Sequence, residues 1–307
     1  MIYPNFLKER ADQKRHDAAA FSAAEAAAAR PIGAILIESG RLSFKDTERV
    51  LSLQQEQHSS GLRFGEAAIR LGLVSPDDIK FALARQYGYP YLVKGDGKVS
   101  EELVAAYQPF GPQVESLRAL RSQLMLRWFT GALERRALAV VSPDAGEGRS
   151  RLTANLAVLF SQLGAHTLLI DADMRNPRQH ALFNLNQRGG LSTILSGRAE
   201  GGEVRRVPAF LDLSVVPAGP LPPNPAELLG RPLFGNFLEE MRKEFEVILI
   251  DTPAASEYAD AQMVCARAHG AVLAVHKNLT RMAAAGELCS GLSQLGVGVV
   301  GSVLSEF

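Results

Sequence analysis

The sequence has almost no cysteine: Cys265 and Cys289 are the only two in 307 residues. Two thiols cannot build a disulfide scaffold or a four-thiolate metal site. Long apolar runs are also missing. Val247–Ile250 and Ala271–Val275 fall far short of the roughly 20 residues that span a bilayer, and Met1–Phe21 carries no hydrophobic core of the signal-peptide kind. Charge of one sign is absent too, because 33 Lys plus Arg balance 33 Asp plus Glu. No global basic field therefore recruits nucleic acid or anionic lipid. These absences lead us to expect a cytoplasmic chain with no direct membrane span and no nucleic-acid partner. The rest of the composition is ordinary for a folded protein, with 47% hydrophobic and 21% charged residues. The length suggests two domains at roughly 150 residues each.

Residues 18–29 hold nine Ala in twelve, with little to bury, and residues 1–29 read as a frayed or disordered lead-in. From Pro31 the chain repeats itself. Pro31–Gln54 and Arg63–Gln86 align with Gly33 on Gly65, Gly40 on Gly72, Leu42 on Val74, Thr47 on Ile79, Leu51 on Leu83 and Gln54 on Gln86, every pair 32 apart. Each copy predicts a short amphipathic helix that stops at Gly40 or Gly72 in a left-handed C-terminal position. A second helix then starts under a Ser43 or Ser75 cap, with Pro76 at its first position. The apolar residues of one copy need the other for burial, which predicts a small all-α tandem-repeat domain over 30–93.

Residues 94–110, rich in Gly, Pro and charge, suit a linker. Beyond it the pattern changes. Around Ala137–Val141, Leu168–Ile170, Ile248–Ile250 and Ala271–Val275, short buried apolar runs end at polar or glycine-rich residues, and helix-period segments such as Arg151–Leu163 lie between them. That alternation predicts an α/β domain over 111–307, a mostly parallel sheet flanked by helices with its ligand at the carboxyl ends of the strands.

Ser142–Ser150 reads SPDAGEGRS and joins a strand to a helix. Gly146 and Gly148 let the backbone wrap a phosphate, while the helix N-terminus supplies the positive field. Ser150 stands where a P-loop hydroxyl meets Mg²⁺, but Arg149 replaces the usual Lys, and a planar fork is not a compact point charge. Asp171, Asp173 and Asp251 follow buried strands, where a carboxylate is expensive unless it serves a cation or a partner. N-caps would explain one such Asp comfortably. Three beside a P-loop point instead to a nucleotide with Mg²⁺.

Ser142–Ser150, Leu168–Arg175 and Ile248–Asp251 resemble the Walker A, Walker A′ and Walker B motifs of the bacterial tyrosine kinases that regulate exopolysaccharide chain length. The likeness extends to Gly190-Leu191-Ser192, to Val216–Leu229 and to Asp260, and so covers about 111–304. Within that family the chain is most similar to the EpsG-type chain-length-determinant kinases, and its fold is expected to be that of P-loop NTPases of the MinD/ParA type. The resemblance implies an ATP- and Mg²⁺-dependent protein tyrosine kinase. Ser142, Gly146, Glu147, Gly148, Arg149, Ser150 and Arg151 would form the nucleotide cradle, with Arg149 on the β- and γ-phosphates. Ser150 would ligate the metal, Asp171 and Asp173 would help hold it and activate the attacking hydroxyl, and Asp251 would position it through water. Glu115, Arg118 and Arg121, at i, i+3 and i+6, match the family's ring-contact pattern, and the resemblance implies a homo-oligomer, whereas spacing alone favours a solvated charged face. The implied partner is a membrane chain-length regulator, which would place the chain at the inner membrane through protein contacts. A nucleotide-gated switch without kinase turnover is the alternative.

Two departures bear on that expectation. The family's C-terminal tyrosine cluster has no counterpart, the six tyrosines being at 3, 87, 89, 91, 107 and 258. Tyr87, Tyr89 and Tyr91 are expected to pack the end of the helical domain. Pro143 stands where partitioning ATPases carry a signature Lys, which argues against that class. The repeats themselves resemble the N-terminal domain of type II secretion and pilus ATPases, some of which bind cyclic di-GMP. That likeness implies Arg30, Gly33, Arg63 and Gly65 as ligand residues, with Arg30 one place early and Pro31 in its slot. A docking module is the plainer reading.

Overall fold

The computed structural model describes residues 30–56, 61–86, 91–92, 94–199 and 201–306. The expectations for the lead-in and for Tyr87 and Tyr89 lie outside the described residues. The chain divides into two compact units, at Tyr91/Leu92.

Glycine and serine set the helix limits of the first unit. Helix α1 (Ile32–Glu38) ends before Gly40 at φ +68°, and α3 (Phe64–Arg70) ends before Gly72 at φ +67°. Between and after them lie α2 (Phe44–Glu56) and α4 (Pro76–Gln86). Ser43 Oγ accepts the Asp46 amide at 3.1 Å and Ser75 Oγ that of Asp78 at 3.2 Å, the same cap made twice. The copies exchange partners, α1 packing on α4 and α2 on α3, around Leu36, Val50, Ala67, Ala68 and Ala82. The exchange is closed symmetrically: Gln54 Nε2 donates to Leu62 O at 2.8 Å and Gln86 Nε2 to Arg30 O at 3.0 Å. Gln54 and Gln86 are 32 residues apart, as are their acceptors.

The second unit is a seven-stranded sheet in the order β3-β4-β2-β5-β1-β6-β7. Its strands are β1 (Ala137–Val141), β2 (Thr167–Asp171), β3 (Arg205–Arg206), β4 (Leu213–Val216), β5 (Val247–Asp251), β6 (Gly270–His276) and β7 (Gly298–Ser305). All pairs are parallel except β3 with β4. Every residue of β1, β2 and β5 is buried, as strands covered by helices on both faces require. The mostly parallel sheet flanked by helices is therefore the fold expected from the alternating pattern.

The expected linker at 94–110 needs correction. Val99, Leu103, Ala105, Ala106 and Tyr107 are buried in the main core of the second unit. The short helix α5 (Val104–Tyr107) is tied to α7 (Arg149–Gln162), α6 being Pro112–Arg127. The Ala105 amide donates to Asn155 Oδ1 at 2.9 Å, and Gln162 Nε2 donates to Ala105 O at 3.1 Å. Side-chain amides on α7 thus satisfy backbone groups that a single-turn helix leaves unpaired.

Four short helices and one long one complete the frame: α8 (Gln179–Leu182), α9 (Leu191–Leu195), α10 (Pro225–Gly230), α11 (Pro232–Glu244) and α12 (Asp260–Ala268), followed by α13 (Met282–Gln294). Gly190 is fixed by close approach. A Cβ there would lie 2.1 Å from Pro217 O, because the Leu191 and Ser192 amides donate to Pro217 O and Ala218 O at 2.8 and 2.9 Å.

Candidate active site

β1 is followed by a loop that turns at Gly146 (φ +79°) and Gly148 (φ +82°) and enters α7 at Arg149. Only glycine takes such angles freely, so the two residues let the loop turn from β1 into α7. A cleft of about 420 Å³ opens there, lined by Gly146–Arg151 together with Asp173, Asn176 and Arg178. A triphosphate seated on the loop amides would gain the helix-terminus field.

Several expected cradle residues turn inward. Ser142 lies beneath the loop, its hydroxyl donating to Asp144 O at 3.0 Å. Glu147 is buried. Its carboxylate accepts the Asp144 amide at 2.9 Å and the Thr280 hydroxyl, so it braces the loop, and only its backbone is free to serve a phosphate. Arg149 is also buried, donating from Nε to Thr252 O at 2.9 Å and from Nη1 to Asp144 O at 2.7 Å and to Ser142 Oγ. The fork holds the loop to the turn after β5, which a lysine ammonium could not do with the same geometry.

Asp171 and Asp251 are register partners at the carboxyl ends of β2 and β5. Both are fully buried. Asp171 Oδ2 accepts the Arg178 and Gln179 amides at 3.1 and 2.9 Å, and Asp251 Oδ2 accepts Gln179 Nε2 at 2.8 Å. Burial pushes both carboxyls up, Asp171 well above its ordinary range with the Asp251 charge adding to the effect, and Asp251 to about 6. Hydrogen bonds from Gln179 and Ser150 to Asp251 pull the other way. Asp173 lines the cleft and accepts the Asn176 amide at 2.8 Å.

These residues fit Mg²⁺. Asp171 Oδ1 and Asp251 Oδ1 are buried with no hydrogen-bond donor, and Ser150 adds a hydroxyl beside them. Hard oxygen donors of this kind suit a cation that shares its coordination with phosphates and water. Among the described residues no group of three or more His, Cys, Asp or Glu is gathered for a metal.

Gln179 was not legible as a site residue. It is fully buried, and its Nε2 spans Ser150 O at 3.0 Å and Asp251 while its amide holds Asp171. It therefore joins the P-loop helix to both strand-end carboxylates. No sequence signal marks it until β2 and β5 are known to be neighbours.

The outlying candidates are not gathered here. On α6, Arg118 pairs with Glu115, whereas Arg121 turns inward and donates to Leu159 O at 3.1 Å. In the first unit, Gly33 and Gly65 are packing positions, a Cβ at either meeting Phe64 or Ile79 at 3.0 Å. Arg30 pairs with Glu38 at 3.1 Å, and Arg63 occupies the N-cap that Pro31 fills in the other copy.

Sheet order, glycine loop and paired strand-end carboxylates define a P-loop nucleotide-binding protein. Comparison with known proteins narrows the class. The chain is 36% identical over 160 residues to the tyrosine-protein kinase CpsD of Streptococcus agalactiae, matching 52% of this chain and 68% of that one. It is 29% identical over 208 residues to the tyrosine-protein kinase YwqD of Bacillus subtilis, matching 68% and 87%. Among solved structures, the chimerical protein CapA2B2 superposes with a TM-score of 0.63 at 30% identity, over 73% of this chain and 97% of that one. No family profile matches the chain. It belongs to the bacterial tyrosine-protein kinases.

Proposed function

We propose that this protein is an ATP- and Mg²⁺-dependent protein tyrosine kinase that acts with a membrane chain-length regulator in exopolysaccharide export. The observation that carries the reading is the Asp171–Asp251 pair, two buried carboxylates on neighbouring strands with an unsatisfied oxygen each, directly under a glycine loop. When bound, Mg²⁺ would neutralise the phosphate oxygens. The chain's own residues do the rest. The loop amides and the α7 N-terminus hold the phosphates, and Arg149, fixed through Nε and Nη1 in the lining of the cleft, adds its positive charge beside them. Asp173, at the rim of the cleft, takes the proton of the attacking hydroxyl. Phosphoryl transfer needs this alignment and charge compensation more than covalent chemistry.

Purified protein given ATP, Mg²⁺ and the partner's cytoplasmic segment should form phosphotyrosine. Asp171→Ala and Asp251→Ala should each abolish it, and an unchanged signal in either would defeat the assignment. The alternative is a nucleotide-gated switch without turnover, favoured by the commitment of Arg149 to Thr252, Asp144 and Ser142. A change in assembly size with ATP, together with no phosphotyrosine, would select it.

The repeat unit is proposed as a docking module for the export machinery. A cyclic di-GMP site there would have to rest on Arg63, since Arg30 is paired and the glycines are packed. Calorimetric titration of the full chain decides this: saturable heat lost in Arg63→Ala supports the ligand, and a flat titration removes it.

A further inference from the structure

The segment after β5 is tied to the P-loop. The Ala255 amide donates to Ser142 O at 3.1 Å and the Ser256 amide to Pro143 O at 2.9 Å, and Ala254 and Glu257 line the nucleotide cleft. The next residue is Tyr258, with 38% of its surface exposed. The other described tyrosines are less available. Tyr107 is buried with its hydroxyl donating to Val99 O at 2.7 Å, and Tyr91 is half-buried with a partner of its own. The Tyr258 hydroxyl makes no hydrogen bond among the described residues.

Its ring is held in place. The Arg175 guanidinium lies 3.7 Å from the ring centroid while its Nε and Nη2 donate to the buried Asp260 at 2.9 and 3.3 Å. A cation over an aromatic face restrains the ring without using its hydroxyl. Arg175 also belongs to the turn that carries Asp173, so one guanidinium links the tyrosine, the start of α12 and the rim of the cleft.

We propose that Tyr258 is a phosphoacceptor of this kinase, a modification site on the cleft's own border. The inference rests on the kinase reading above. In the step, Tyr258 Oη bonds to the γ-phosphorus as the bond from that phosphorus to the β–γ bridging oxygen breaks. The nucleoside diphosphate leaves with the electron pair, and the phenolic proton passes to the Asp173 carboxylate, the base assigned above. The product carries a charge of about −2 beside Arg175. The phosphate and Asp260 then compete for one guanidinium, which couples the covalent state of Tyr258 to the turn holding Asp173.

The test incubates the full chain with ATP and Mg²⁺, supplies a Glu–Tyr copolymer as external acceptor, and maps phosphotyrosine by peptide mass spectrometry. Phosphate is expected on the Tyr258 peptide. Tyr258→Phe, which keeps the ring under Arg175, is expected to lose self-phosphorylation at that peptide and retain full activity on the copolymer. Phosphate found only on other tyrosines of the chain, or on the copolymer alone, would overturn the proposal and leave the kinase reading standing. Phosphate on neither the chain nor the copolymer would overturn both.

Discussion

Asp251 and Gln179 show how much of this site depends on single groups. The Asp251 carboxyl is raised by burial from 3.8 to about 6. A carboxyl raised on folding contributes stability below its unfolded value and loses it as pH rises through the folded one. The nucleotide-free protein should therefore lose stability between about pH 4 and pH 6, and above that window it holds a buried charge at a cost on the order of 3 kcal/mol. Asp251→Asn should raise the melting temperature at pH 7.5 in the absence of metal and nucleotide, with the gain shrinking toward pH 4. A gain that does not change with pH would contradict this origin. Gln179 predicts a different signature. Gln179→Leu removes a hydrogen bond to a charged oxygen and should weaken Mg²⁺-dependent nucleotide affinity on the order of tenfold while leaving metal-free nucleotide binding close to wild type. Fluorescent-nucleotide titration with and without Mg²⁺ separates the two.

At the scale of elements, what could be read in advance depended on whether burial leaves a local pattern. β1, β2 and β5 are buried on both faces and appear as unbroken apolar runs, so their ends, and with them Asp171 and Asp251, were visible. The helical repeat was visible because Gly40 and Gly72, Ser43 and Ser75, and Gln54 and Gln86 perform the same backbone tasks twice. The partner exchange between copies was not, since nothing local says that α1 should pack on α4. β3 has only two residues, both arginine, and left no signal. Residues 94–110 do not look buried in sequence because Val99, Leu103, Ala105 and Ala106 follow no helical or strand period; they join the main core of the second unit, and the Ala105 backbone is taken up by Asn155 and Gln162 on a helix some fifty residues away. Helix α6 was half-read: the spacing of Glu115, Arg118 and Arg121 is real, but Arg121 serves α7. Arg121→Ala should lower the melting temperature. Arg118→Ala should leave it near wild type and, if α6 carries the contact between copies, reduce the assembly size in sedimentation. Gly190→Ala, whose Cβ would sit 2.1 Å from Pro217 O, should destabilise the second unit by about 3 kcal/mol or more, read as a fall in its unfolding midpoint.

On the scale of the whole molecule, the balanced charge noted in the sequence bears on how the chain reaches its place of work. No helix among the described residues is long and apolar enough to cross a membrane, and the 33 basic residues are matched by 33 acidic ones. Any membrane role is therefore proposed to run through a protein partner, and the full chain alone should fail to sediment with anionic vesicles at low salt. Sedimentation without the partner would contradict that route. The central claim is narrower: the cleft over Asp171 and Asp251 transfers phosphate to tyrosine. Its most direct test is phosphotyrosine formation by the full chain with ATP, Mg²⁺ and the partner's cytoplasmic segment, compared with Asp251→Ala. A signal in the wild type that the substitution removes is expected. A signal that persists in Asp251→Ala, or none in a wild type that binds nucleotide, would contradict it.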